Sequence, residues 1–346
     1  MAATMNSTMN WGSETPLIDT LGWQKAAGAH ATKAVWCGDH CAFALGDGTV
    51  LFADVTGEKA RPQVHNGACL AATGLDGAVL TAGDDGRVIS TLPNSATAVF
   101  LDRPGRFFDQ IAAAEWGGIA VADGRRIVVL LPGEEPKQYR ASSAVGGLDF
   151  SPKGRKLAIS RNNGASVYWV GTDRQAPDDY EWKGAHHLIA FSPRGDFLVT
   201  TMHENALHVW STDQRKHGQM GGYPSRIKSI SFDPKGNHLA TAGADGIIIW
   251  PFSAKDGPIG KTAEQIPLQA GDLILAVAWH PKADVIAVGT ANGKVVLARR
   301  DGALLPCTLG LESAVTTLAW AEKGKALAFG TDRGTIGVLD FSEFAR

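Results

Sequence analysis

Residues 229–250, SISFDPKGNHLATAGADGIIIW, contain the pattern that the rest of the chain repeats. A run with alternating apolar residues precedes a Pro-Lys-Gly turn, a run of small residues, an Ala-Asp-Gly turn and an apolar run ending at Trp250. Gly and Pro divide the stretch into runs that are too short for helices and typical of strands. The stretch is therefore predicted to form three short strands joined by two tight turns.

The same pattern recurs along the chain. Clear copies lie at residues 148–169, 189–210, 277–297 and 318–339, and weaker copies at 34–52, 70–89 and 111–129. Eight residues mark the second turn of each unit, namely Asp47, Asp85, Asp123, Asn163, Glu204, Asp245, Asn292 and Asp332. Their spacing of about 38 to 47 residues is the period of a four-stranded propeller blade. We predict an all-β protein, a single β-propeller in which eight four-stranded blades are favoured and seven are the alternative.

The units resemble those of the WD40-repeat family over nearly the whole chain. That family has a histidine before the first strand, an Asp in the second turn and a Trp-Asp pair ending the third strand. The matching residues here are His30, His65 and His186, then Asp47, Asp85, Asp123, Asp245 and Asp332, then Trp169, Trp210 and Trp250. No Gly-His or Trp-Asp dipeptide occurs at those positions. The resemblance implies a propeller, histidines hydrogen-bonded within their own blades, and a role as a scaffold for protein complexes.

The N-terminal region is expected to close the ring. Residues 1–15 are polar and predict a disordered tail, and residues 16–346 are assigned to the propeller. The last repeat is followed by too few residues for a fourth, outer strand, so we expect residues around 16–22 (PLIDTLG) to supply it. Deleting residues 1–24 should then cost much more stability than deleting residues 1–12.

Composition limits the classes of partner. The formal net charge is -2 and the isoelectric point is about 6.6, so no charge pattern points to nucleic acid or an anionic membrane. The four cysteines lack the spacing of a disulfide framework, and neither a signal peptide nor a membrane-spanning run is apparent. We expect a soluble cytoplasmic protein.

Catalytic motifs are missing from the sequence, so we do not expect an enzyme. It has no phosphate-binding glycine loop, no Gly-x-Ser-x-Gly elbow, no His-Glu-x-x-His and no Cys-x-x-Cys. The repeated Asp-Gly pairs are explained as hairpin turns. No catalytic residue is assigned.

A group of histidines provides an alternative hypothesis. His186 and His187 precede one first strand, and His203 and Glu204 lie in the second turn of the same unit, which places both loops on one propeller face. Imidazole nitrogens and a carboxylate could bind zinc if the distances suit, so the alternative function is metal or small-ligand handling. The sequence CGDHC at residues 37–41 is interpreted as a turn followed by a buried cysteine.

The favoured function is a non-catalytic platform that binds another protein. Trp, Tyr and Arg carry much of the energy of protein interfaces. Five such residues lie in or beside loops before first strands and are predicted to bind the partner: Trp182, Tyr223, Arg226, Arg103 and Arg106. Trp36, Trp279 and Trp320 end first strands and are predicted to be core residues. No cofactor is expected apart from the zinc of the alternative.

Overall fold

The computed structural model describes residues 9–213, 216–268 and 271–344. These residues contain thirty strands, a one-turn helix α1 (Ile18–Leu21) and a short 3-10 turn (Ser342–Phe344). The first strand, β1 (Gly22–Ala26), belongs to the last sheet, and all the other strands follow in chain order. Neighbouring strands in every sheet are antiparallel, as the sequence of short runs and tight turns predicts.

The first three sheets have four strands each. Sheet 1 contains β2 (Ala31–Cys37), β3 (His40–Leu45), β4 (Val50–Asp54) and β5 (Gly57–Ala60). Sheet 2 contains β6 (Cys69–Leu75), β7 (Ala78–Gly83), β8 (Arg87–Thr91) and β9 (Thr97–Asp102). Sheet 3 contains β10 (Gln110–Ala113), β11 (Ile119–Asp123), β12 (Arg126–Leu130) and β13 (Lys137–Arg140).

The remaining strands form four more sheets. Sheet 4 has six strands, β14 (Gly147–Phe150), β15 (Lys156–Trp169), β16 (Asp178–Phe191), β17 (Phe197–Met202), β18 (Leu207–Ser211) and β19 (His217–Met220). Sheet 5 contains β20 (Ile230–Phe232), β21 (His238–Thr241), β22 (Gly246–Pro251) and β23 (Glu264–Pro267). Sheet 6 contains β24 (Ile274–Trp279), β25 (Val285–Thr290), β26 (Val295–Arg299) and β27 (Leu304–Thr308). Sheet 7 contains β28 (Val315–Trp320), β29 (Ala326–Thr331), β30 (Thr335–Asp340) and β1.

The all-β propeller is confirmed, with seven sheets in place of the eight separate blades that the repeats favour. Sheet 4 carries two repeat units, residues 148–169 and 189–210. Within β15 the chain turns back near Asn163, and Val170 N donates to Arg155 O at 2.9 Å. The first half of β16 pairs with β15 and its second half pairs with β17. Two units are joined in one sheet because β16 is continuous across their boundary.

The ring closes where sheet 7 meets sheet 1. Ala34 N donates to Thr317 Oγ1 at 3.0 Å, and Trp36 Nε1 donates to Ala319 O at 2.9 Å. Trp320 Nε1 donates in the same way to the neighbouring Ala278 O at 3.1 Å. The indoles of Trp36 and Trp320 therefore bridge successive sheets. Of the three tryptophans predicted to be core residues, Trp279 is buried and the other two are half-buried.

An N-terminal strand completes sheet 7, as expected, but it begins later in the sequence. β1 pairs with β30 from Gly22 opposite Leu339 to Ala26 opposite Thr335. Much of the expected segment 16–22 instead forms α1. A Cβ atom at residue 22 would lie 2.4 Å from Val338 O, so glycine permits the close approach that starts the pairing.

The segment before α1 lies along β27, the outer strand of sheet 6. Gly12 N donates to Leu304 O at 3.2 Å, and Leu17 N donates to Pro306 O at 3.0 Å. Met9 is buried in the cluster that contains Leu305. The predicted domain boundary after residue 15 stays a prediction, and residues 1–8 of the predicted tail lie outside the described residues.

The second strands are buried on both faces because each lies between two neighbouring sheets. All residues of β7, β17, β25 and β29 are buried. Their small and β-branched side chains let the sheets pack closely. No helix among the described residues has the length and apolar character needed to cross a bilayer.

Candidate functional site

Two of the three predicted structural histidines have that role. His65 Nδ1 donates to Asp85 Oδ1 at 2.9 Å, and His65 Nε2 lies 2.9 Å from Thr81 Oγ1. His186 Nε2 donates to Trp182 O at 3.0 Å, which leaves Nδ1 to accept from Thr200 Oγ1 at 2.7 Å. Both histidines are buried, so these bonds satisfy groups that water does not reach.

His30 departs from that expectation. It is exposed, and its Nδ1 lies 3.3 Å from Asp332 O, which belongs to the turn between β29 and β30 in sheet 7. The side chain of this histidine therefore contacts the neighbouring sheet, whereas within its own unit its backbone carbonyl accepts from Gly46 N at 2.8 Å.

Tyr223 occupies the position before β20 where three of the other units have a histidine. Its hydroxyl lies 2.7 Å from Thr241 Oγ1 and accepts from Trp250 Nε1 at 2.7 Å. The side chain is buried, and burial raises the pKa of Tyr223 to about 12. Sequence reasoning placed Tyr223 on a partner-binding surface, whereas the structure places most of its side chain in the core of sheet 5.

The four residues of the predicted zinc group lie near one another, with Arg226 beside them. The rings of His187 and His203 are 6.2 Å apart, and His203 N donates to Ala185 O at 2.9 Å. The guanidinium of Arg226 contacts the ring nitrogens of His203. Burial, followed by Arg226 and His203, lowers the pKa of His187.

This arrangement is unfavourable for a metal cation. His186 uses both ring nitrogens inside its own sheet, and the guanidinium of Arg226 is a cation beside His203. Within residues 9–213, 216–268 and 271–344, no three His, Cys, Asp or Glu side chains are grouped as a metal site requires. In the CGDHC segment, Cys37 pairs with His40 across a turn and Cys41 is buried in β3, as interpreted. Burial raises the pKa of Cys37 to about 12, which keeps its sulfur protonated.

Trp182 belongs to an aromatic cluster that sequence reasoning did not find. Its ring stacks on His208 at 4.4 Å, and His208 Nε2 lies 3.2 Å from His217 Nδ1. His208 is fully buried, and burial together with the neighbouring His217 and His186 lowers its pKa to about 3. Trp182 is half-buried, so its role in this cluster is packing.

Arg103 and Arg106 line a cleft between sheets 2 and 3 with a volume of about 390 Å³. We call this the arginine cleft, and its lining residues are Arg103, Arg106, Phe108, Asp123, Arg126, Val128, Pro136 and Gln138. Arg106 Nη1 lies 3.4 Å from Oδ2 of Asp123, which carries the one carboxylate in this lining. Three arginines and one aspartate leave the cleft with a net positive charge above the apolar floor that Phe108 and Val128 provide.

A set of exposed apolar side chains lies in or beside sheet 2 and in the loop that borders the arginine cleft, and it was not predicted from the sequence. We call it the edge patch, and it consists of Leu92, Val99, Phe100 and Phe107, which are 40%, 50%, 46% and 59% exposed. Phe100 is the extra residue of a β-bulge on β9, because Leu101 pairs with Val88 and Val99 with Ile89. Leu101 packs with Phe108, which links β9 to the floor of the cleft.

The outer strand β27 of sheet 6 has a bulge like that of β9. The extra residue of the bulge in β27 is buried. Thr308 pairs with Val295 and Pro306 with Val296, so Cys307 is the extra residue. Cys307 is fully buried in the cluster that contains Met9 and Ile18 of the N-terminal segment. Phe100 has no comparable cover among the described residues, since nearly half of it is exposed.

Comparisons with known proteins agree with this fold. Residues 215–250 match the family model described as WD domain, G-beta repeat, and residues 277–344 match the anaphase-promoting complex subunit 4 WD40 domain. A search of curated proteins found no match. The crystal structure of the computationally designed Ika8 protein is similar over 91% of this chain and 98% of that chain, with a TM-score of 0.74 and 18% identity. The repeats, the ring of sheets and the family matches together show a β-propeller whose residues 215–250 and 277–344 are similar to WD40 domains.

Proposed function

We propose that this protein is a non-catalytic scaffold that binds another protein through the edge patch and the arginine cleft. The observation that carries the proposal is the position of the exposed apolar residues. Four of the five large apolar side chains that are exposed in the described part of the chain belong to the edge patch and lie within residues 92–107. Apolar side chains concentrated in this way mark an interaction surface, whereas single exposed ones need no explanation.

The charge of the cleft indicates the chemistry of the partner. Arg103 and Arg126 are exposed, and neither has a carboxylate partner among the described residues. Carboxylates of a partner could pair with both guanidinium groups while an apolar side chain covers Phe100 and Phe107. The partner segment is therefore expected to carry acidic residues next to an apolar anchor.

The proposal uses two of the five residues that were predicted to bind a partner, Arg103 and Arg106. Trp182 packs in the aromatic cluster, Tyr223 is buried, and Arg226 contacts His203. WD40 propellers commonly act as scaffolds. This family analogy supports the scaffold function but does not identify a partner.

Site-specific photocrosslinking in cells of the source organism tests the proposal. A photoreactive phenylalanine analogue replaces Phe107 in one strain and Leu309, which is 61% exposed and outside the edge patch, in a control strain. We expect one dominant crosslinked protein at position 107, none at 309, and a crosslinked peptide rich in Asp and Glu. Exchanging Arg103 and Arg126 for Glu should abolish that crosslink. Equal crosslinking at both positions, or a crosslink that survives the charge reversal, would show that this surface is not the binding site.

A further inference from the structure

A cavity in the central channel has a lining unlike that of the surface clefts. It has a volume of about 260 Å³ and is lined by parts of the innermost strands β2, β20, β24 and β28 and by residues 228 and 229. Two lysines face it, Lys33 from β2 and Lys228 from the segment before β20. No Asp or Glu is present in the described lining. Two ammonium groups therefore share a cavity that provides no carboxylate.

Hydroxyl groups in the same lining have protons to donate. Ser231 Oγ accepts from Trp279 N at 2.9 Å, and Thr317 Oγ1 accepts from Ala34 N at 3.0 Å. Each hydroxyl is thus held in place by a backbone amide, and its own proton is not used in a hydrogen bond within the described residues. The cavity combines cationic and neutral donors, which is the donor set that an oxyanion requires.

Lys33 has no counter-charge in the described lining of this cavity. It has no hydrogen-bond or ion-pair partner among the described residues, although its side chain reaches water in the channel. The protein that surrounds it lowers the pKa of Lys33, since desolvation disfavours the charged form. A bound anion would pair with this ammonium group and offset its desolvation.

We propose that this cavity binds a divalent oxyanion of the phosphate type, held between Lys33 and Lys228 with the Ser231 and Thr317 hydroxyls as further donors. This site is separate from the arginine cleft and does not depend on the proposed scaffold function. The shared chemistry is a phosphoryl group, which is present both in inorganic phosphate and in a phosphomonoester whose remaining part extends along the channel.

Titration calorimetry on the full-length protein tests this site. Sodium phosphate and phenyl phosphate are titrated at neutral pH and constant ionic strength, with sodium chloride as the reference salt. The variants are Lys33→Met, Lys228→Met and Lys33→Arg, and the control is Lys235→Met, an exposed lysine in the turn before β21. Circular dichroism of each variant confirms that it is folded.

The wild-type protein and the Lys235→Met control are expected to bind one phosphate per chain. Lys33→Met and Lys228→Met should each weaken phosphate binding by at least about tenfold, because each removes one of the two positive charges that face the cavity. Lys33→Arg keeps the charge and should keep the binding. Binding of phenyl phosphate as well would identify a phosphomonoester site, and binding of inorganic phosphate alone a site for the free ion. Absence of binding to the wild type, equal binding by all variants, or equal competition by chloride would each overturn the proposal.

Discussion

At the level of single residues, Tyr223 shows that the unit can be stabilised without the histidine of the family pattern. A histidine bonds to a strand threonine in sheets 2 and 4, and a tyrosine hydroxyl joins Thr241 to Trp250 in sheet 5. The common requirement is a buried polar group that connects the loop before the first strand to the second strand. Either side chain meets it, because each can donate one hydrogen bond and accept another.

Removing the Tyr223 hydroxyl should therefore destabilise the protein. Tyr223→Phe leaves the buried Trp250 Nε1 group without its acceptor, so we expect the free energy of unfolding to fall by about 1–3 kcal/mol. Urea denaturation of the purified variant measures the change.

Tyr139→Phe is the matched control. The Tyr139 hydroxyl is also buried, but it has no hydrogen-bond partner within the described residues. Its removal should be neutral or stabilising, because the folded state loses an unsatisfied polar group. An equal loss of stability in both variants would contradict the role given to Tyr223.

The sequence predicts some of these residue roles and not others. His65 and His186 follow from the repeat pattern, since each stands before a first strand. Tyr223 resembles a surface aromatic in the sequence because its partners are 18 and 27 residues away. Lys33 is a charged residue, so the sequence indicates contact with water, but it cannot distinguish channel water from bulk water.

At the level of elements, β1 is the strand on which ring closure depends. Its five residues pair with β30, and Trp23 Nε1 donates to Asp54 O of sheet 1 at 2.9 Å. Without β1, one edge of β30 is unpaired and the contact between sheets 7 and 1 is weakened.

Deletion of residues 1–26 should therefore lower the free energy of unfolding by more than about 3 kcal/mol, the cost of losing a large packed aromatic and its strand. Deletion of residues 1–12 removes the buried Met9 but leaves β1 intact, and we expect a smaller loss. Thermal and urea denaturation of both truncated proteins compare the two effects. Equal stability of the two would show that β1 does not close the ring.

The sequence predicts that such a strand exists but not where it begins. The apolar residues of PLIDTLG suit either a strand or one helical turn, because a run this short cannot be assigned by periodicity alone. In β9, TAVFLD has apolar residues at successive positions, whereas the outer strands GEKA and KQYR are largely polar. That contrast was the available signal for the edge patch.

At the level of the whole molecule, the repeat count and the sheet count differ for a local reason. Residues 170–183 look like a polar loop in the sequence, yet β16 begins at Asp178 and continues to Phe191. Gly184 lies between the two units at φ +113°, a backbone conformation that other residues rarely adopt, and β16 continues through it. The spacing of the repeat units in the sequence identifies the propeller. The continuity of β16 determines that two of these units share one sheet.

The proposed scaffold function depends on one surface of this ring, the edge patch with the arginine cleft. Hydrogen–deuterium exchange of the protein alone and with the protein crosslinked at position 107 measures which backbone amides the partner protects. We predict protection of β9 and of residues 103–109, with little change around His203 and Arg226. Protection around His203 and Arg226 with unchanged exchange in β9 would contradict the proposed interaction surface.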